Sequence, residues 1–151
     1  SRLTAMSAFL STKGALENQA NLATLEAFVE YKKGNIKTAL ELSLKADKLL
    51  AEFYFPKVIS NKVLTAALAN INKSASQMKK SSKIFKSIAD TNKRLNTDYE
   101  ILLTLTDIGA LVSKSRLSAT DKVQLKKYLA IFKPPVVRTS LLPVILTDLT
   151  H

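Results

Sequence analysis

No cysteine occurs among the 151 residues, so the chain has no disulfide and no thiolate metal ligand. That absence fits a reducing compartment, and an intracellular location, cytoplasmic or nuclear, is expected. The single histidine is the last residue, His151, read as a solvated tail residue and not as a base. Gly14, Gly34 and Gly109 stand alone, which excludes a glycine-rich phosphate loop. Three glycines and four prolines are too few for the frequent turns of an all-β protein. No apolar run approaches the ~18 residues of a membrane span. No signal-peptide pattern opens the chain, and Ser1 in place of Met reads as a processed or excised start. The acids lack a calcium-loop spacing, and Asp47, Glu52, Asp98 and Glu100 read as surface acids. One glycosylation triplet, Asn72-Lys73-Ser74, is discounted without a secretion signal. No catalytic residue, metal or cofactor is therefore expected, and the chain reads as non-enzymatic.

What the chain has is apolar content and positive charge. Hydrophobic residues make up 46%, enough for a folded domain with a core. The net charge is +11, and it is unevenly placed. Residues 1–56 hold seven basic and six acidic groups, and residues 96–151 hold seven and five. Residues 57–95 hold nine basic groups against Asp90 alone, so the excess is local and forms a candidate surface patch.

The apolar spacing predicts helices throughout, hence an all-α fold. Leu3, Met6, Phe9 and Leu10 share one side of a short helix over 2–12, ended by Lys13-Gly14. Leu22, Leu25 and Val29 form the stripe of a second helix over 19–33, with Phe28 and Tyr31 beside it. Gly34 stops that helix, because glycine accepts the left-handed conformation of a C-cap. Helix 36–52 carries Ile36, Leu40 and Leu44 on one stripe and Ala39, Ser43, Ala46 and Leu50 on the next. Phe53-Tyr54-Phe55-Pro56 closes it and is expected to fill an inter-helix joint. Helix 57–72 carries Ile59, Val63, Leu64, Leu68 and Ile71, and helix 75–95 turns Met78, Ser81, Phe85, Ile88 and Ala89 inward. Thr97-x-x-Glu100 and Ser118-x-x-Asp121 resemble capping boxes for helices 97–114 and 119–133. Pro134-Pro135 is a stop, and the apolar tail to His151, interrupted by Pro143, fits either a last helix or a strand.

Helices alternating with short turns suggest a repeat. Tyr31, Gly34-Asn35, Ile36, Ala39 and Ala46 stand where the tetratricopeptide (TPR) family has its aromatic, Gly-Asp turn, aromatic and two alanines. The segment Glu30–Leu49 thus resembles the middle of a TPR unit. In the next unit Leu68-Ala69, Ser81, Phe85 and Ile88 stand at the family's Leu-Gly, alanine, aromatic and alanine positions, with Ala39 to Ser81 spaced 42 apart instead of 34. Ile108-Gly109 resembles a third Leu-Gly, and no alanine pair follows. Counting back 34 from Ala39 and Ser43 gives Ala5 and Phe9, so the chain is expected to begin inside a second helix. The resemblance implies antiparallel helix pairs in a right-handed α-solenoid, irregular towards the C-terminus. A TPR-like domain is expected over 1–133, with 134–151 a proline-interrupted apolar segment packing on the last helix or on a partner. Another α-solenoid and a non-repeat bundle are the alternatives.

Two surfaces are candidates for function. The resemblance implies a concave groove lined by first helices, with Asn21, Thr24, Phe28 and Asn70 as partner-groove residues. Core packing of Phe28 against the helix at 36–52 is the competing role. The second surface is basic: Lys73, Lys79, Lys80, Lys83, Lys86, Lys93 and Arg94 crowd one helix and its approach. An ordinary solvated face mixes signs, and like charges at i+4 disfavour a helix by roughly 0.2–0.5 kcal/mol per pair. The row therefore points to an acidic partner. The expected function is a protein-interaction scaffold or adaptor in a larger assembly, bound to a protein with an acidic segment. The alternative is a nucleic-acid-binding helical module making phosphate contacts through 73–94. Base stacking is disfavoured, since the only aromatic there, Phe85, points inward.

Overall fold

The computed structural model describes residues 2–51, 56–95, 100–131 and 141–151, with side-chain surroundings from Gly14, Val58 and Leu142 onward in the segments opening at Arg2, Pro56 and Leu141. Among them are seven α-helices and no strand: α1 (Arg2–Lys32), α2 (Ile36–Leu49), α3 (Pro56–Ile71), α4 (Ala75–Arg94), α5 (Glu100–Val112), α6 (Ala119–Ile131) and α7 (Leu141–Leu149). Contacts divide the chain into two units, 1–54 and 55–151. The division falls inside the stretch expected as one repeat domain, and α7 belongs to the second unit together with α3–α6. The aromatic run Phe53-Tyr54-Phe55, the Thr97 half of one capping box and Pro134-Pro135 lie outside the described residues.

In the first unit the two helices expected over 2–12 and 19–33 are one. Gly14 lies inside α1, which runs unbroken for 31 residues. A single interior glycine costs a helix about 1 kcal/mol relative to alanine, too little to end one bounded by Lys13 and Ala15-Leu16-Glu17. The buried stripe also differs from the expected one. Leu22, Leu25 and Val29 are 57%, 58% and 48% exposed, while Ala20, Ala23 and Ala27 are buried. Both triplets satisfy helical spacing. The alanines win because α1 packs on α2, whose buried face is Ala39, Leu40, Ser43 and Ala46. Small residues on both sides let two backbones approach closely. Ala39→Leu forces them apart and is expected to cost about 1–3 kcal/mol in urea unfolding. A change within a few tenths would contradict this packing.

The turns leaving α1 and α3 are built alike. Gly34 has φ +85°, and Asn35 N donates to Glu30 O at 2.9 Å. Lys73 has φ +56°, and Ser74 N donates to Ala69 O at 2.9 Å. Each is a left-handed residue closing a six-residue backbone loop at a helix C-terminus. Asn35 and Ser74 then flank α2 and α4 on the N-terminal side. The left-handed residue costs glycine little and lysine more, which is why only the first turn carries an obvious sequence signal.

In the second unit α3 is the central helix, touching α4, α5 and α7. It is buried around most of its circumference, from Val58 and Ile59 through Val63–Asn70. Pro56 opens it with the φ a first helical residue needs. The buried hydroxyls of Thr65, Thr104, Thr106 and Ser113 donate to carbonyls four residues back, at 3.0, 2.8, 2.8 and 2.6 Å. Gly109 of α5 lies against the Phe85 ring of α4, with no room for a Cβ. The Ser118–Asp121 capping box forms: Asp121 N donates to Ser118 Oγ at 3.1 Å, and Ser118 N to Asp121 Oδ2 at 2.9 Å. That backbone hydrogen bond, followed by the one from Lys114 Nζ, holds the Asp121 carboxyl below its ordinary range. Within the tail, the described residues Leu141–Leu149 form a helix. Pro143 is its third residue, where a backbone N–H has no intrahelical acceptor, so the proline is tolerated. Leu142, Ile145 and Leu146 are buried, and α7 touches α6 and returns to α3.

Candidate functional site on α4

Helix α4 divides into two faces because its apolar residues recur at helical spacing. Met78, Ser81, Phe85 and Asn92 are buried, and α4 packs against α3 and α5. Of the other residues expected inward, Ile88 is half-buried and Ala89 exposed. Lys79, Lys80, Lys83, Lys86, Lys93 and Arg94 are all exposed, as is Lys73 on the turn before the helix. With about 100° between successive residues, the six helical cations cover an arc of about 140°. From Lys79 to Lys93 the row runs about 21 Å along the axis at 1.5 Å per residue. Lys93 and Arg94 in the last turn complement the helix dipole.

Among the described residues, none of these seven cations is within ion-pair reach of a carboxylate. Repulsion at Lys79/Lys83 and Lys83/Lys86 is therefore left uncompensated by local partners. An open hollow of about 460 Å³ lies on this face, lined by Lys83, Lys86, Ser87, Asp90, Thr91 and Arg94. Asp90 projects from the middle of the cationic arc. Along one border Ile84 and Leu95 are 37% and 65% exposed. This apolar edge was missed in the sequence. Its signal is the spacing of Ile84, Thr91 and Leu95 at i, i+7 and i+11, one strip beside the lysines.

The four expected groove residues are divided between the two units, three in the first and Asn70 in the second. Asn21, Thr24 and Phe28 share a flank of α1 in the first unit. Asn21 is exposed, Thr24 donates from Oγ1 to Ala20 O at 2.9 Å, and half-buried Phe28 has Lys32 Nζ 5.8 Å from its ring centre. Asn70 corrects the expectation. It is 3% exposed, and its Nδ2 donates to Val112 O at 2.9 Å and Lys114 O at 2.7 Å. The last carbonyls of a helix lack intrahelical donors, so Asn70 caps the C-terminus of α5 from inside the fold. Asn70→Ala is expected to cost about 1–3 kcal/mol in thermal unfolding, because it strands those acceptors. Loss of partner binding at unchanged stability would return Asn70 to a groove.

Among the described residues there is no cluster of His, Cys, Asp or Glu suited to a metal, and no helix is long and apolar enough to cross a membrane. Compared with known proteins, the chain matches no protein-family model, no curated protein and no solved structure.

Proposed function

We propose that the protein is a non-enzymatic helical scaffold or adaptor that docks an acidic segment of another protein on α4. The observation carrying this reading is the row of exposed cations with no ion-pair partner among the described residues. An uncompensated row costs the helix stability, and an acidic partner turns that cost into attraction. The exposed Ile84 and Leu95 favour a protein over nucleic acid, since apolar side chains on the rim match a partner's own apolar residues. Among the described residues no exposed aromatic stands between the lysines, which speaks against base stacking as a source of affinity. The matching turns after α1 and α3 support a repeated helix pair, α1/α2 and α3/α4, of the TPR-like kind. An intracellular setting, cytoplasmic or nuclear, goes with this role.

The test is a titration of the full chain with a labelled acidic peptide and a labelled single-stranded RNA, each at two salt concentrations. The reading expects the peptide to bind with a steep loss at higher salt, because exposed charges are screened within about 8–10 Å. RNA binding in the absence of peptide binding would replace it with the nucleic-acid module.

A further inference from the structure

We propose that Asp90 makes the α4 face read a pattern of charge instead of total negative charge, and that its partner is an acidic helix with one basic residue opposite Asp90. The inference rests on the reading of α4 as a protein-docking face.

Asp90 is the only acid between Lys57 and Leu95. Helical geometry places it inside the cationic row, since Lys79, Lys83, Lys86 and Asp90 follow at steps of four, three and four. Lys93 and Arg94 continue the row three and four residues further on. Such neighbours ordinarily close an i,i+4 ion pair with a carboxylate between them. Among the described residues Asp90 forms none, and it lines the hollow shared with Lys83, Lys86 and Arg94. Its carboxylate is presented outward, to whatever lies along the face.

A polyanion laid on α4 would bring a phosphate against Asp90, and the repulsion would offset part of what the lysines contribute. A protein helix has no such constraint, because its charges are chosen residue by residue. With the same 1.5 Å rise, a helix alongside α4 can set acids opposite Lys79, Lys83, Lys86 and Arg94 and a Lys or Arg opposite Asp90. An apolar residue beside that stripe would meet Ile84 and Leu95. The lone acid thus acts against wrong partners as much as for the right one.

Two labelled helical peptides test this. One carries Glu at the spacings of Lys79, Lys83, Lys86 and Arg94 and Lys at the spacing of Asp90. The other has Glu there too, and each is made in both chain directions. The full chain, its Asp90→Lys variant and a single-stranded oligonucleotide complete the set, with circular dichroism confirming the fold. The Lys-bearing peptide is expected to bind about five-fold more tightly than its all-acidic sibling, the ratio that exchanging an attractive for a repulsive exposed pair supplies. Asp90→Lys is expected to invert the preference and to strengthen oligonucleotide binding. Equal binding of the two peptides, or a preference unchanged by Asp90→Lys, overturns the role of Asp90 and leaves the docking face standing. If neither peptide binds and the oligonucleotide does, the docking reading fails and the inference fails with it.

Discussion

Gly109→Ala is expected to destabilise the second unit by about 1–3 kcal/mol, the usual cost of overpacking a filled core. A Cβ at this position overlaps the Phe85 ring, which is almost fully buried and has few directions in which to yield. The added methyl therefore drives α4 and α5 apart or forces Phe85 off its rotamer. Phe85→Ala is expected to cost more, about 3–5 kcal/mol, by leaving a cavity on α4 behind the cationic row. The pair also couples: in the Phe85→Leu background the Gly109→Ala penalty should shrink, because the smaller side chain leaves room. Urea unfolding of the two single variants and the double variant measures all three effects. A Gly109→Ala protein as stable as the parent would mean that α4 does not press on α5 here.

Changing Lys79, Lys83 and Lys86 together to Glu is expected to weaken binding of an acidic peptide by about 100-fold or more, with the helical signal retained. Each replacement removes one positive charge and adds one negative, so the net charge falls from +11 to +5. All three side chains are exposed and without ion-pair partners among the described residues, so the fold loses no local interaction. The like-charge pairs at positions 79/83 and 83/86 repeat the old spacing with the opposite sign. The new repulsion between the carboxylate at position 86 and Asp90 is offset by Lys80 beside the carboxylate at position 83, leaving helix propensity nearly unchanged. Binding turns from attraction to repulsion at three adjacent points. An affinity within a factor of two of the parent's would show that the row is only a solvated surface.

Features marked by local chemistry were legible in the sequence. Gly34 announces a C-cap, Ser118-x-x-Asp121 a capping box, and the spacing of Met78, Ser81 and Phe85 fixes which side of α4 faces out. The basic surface could be read for that reason: once Phe85 is inside, Lys79, Lys83 and Lys86 must be outside. Features decided at a distance were not legible. On α1 the leucine stripe and the alanine stripe share one period, and only the small residues of α2 select between them. Continuity through Gly14 depends on a net helix preference over many residues, which one glycine does not overturn. Asn70 acts on carbonyls 42 and 44 residues away, so nothing beside it in the chain points to its role. The return of α7 to α3 is equally remote. Lys73 conceals a turn that glycine would have advertised.

The most direct test of the central claim is lysine footprinting of the full chain, free and saturated with the acidic peptide that carries one lysine. Brief acetylation followed by mass spectrometry reports each ammonium separately. The account predicts that Lys79, Lys83, Lys86 and Lys93 lose most of their reactivity on binding, while exposed Lys37 and Lys45 on α2 and Lys126 on α6 keep theirs. Unchanged reactivity along α4 at saturation, or protection confined to Lys37, Lys45 and Lys126, would contradict it.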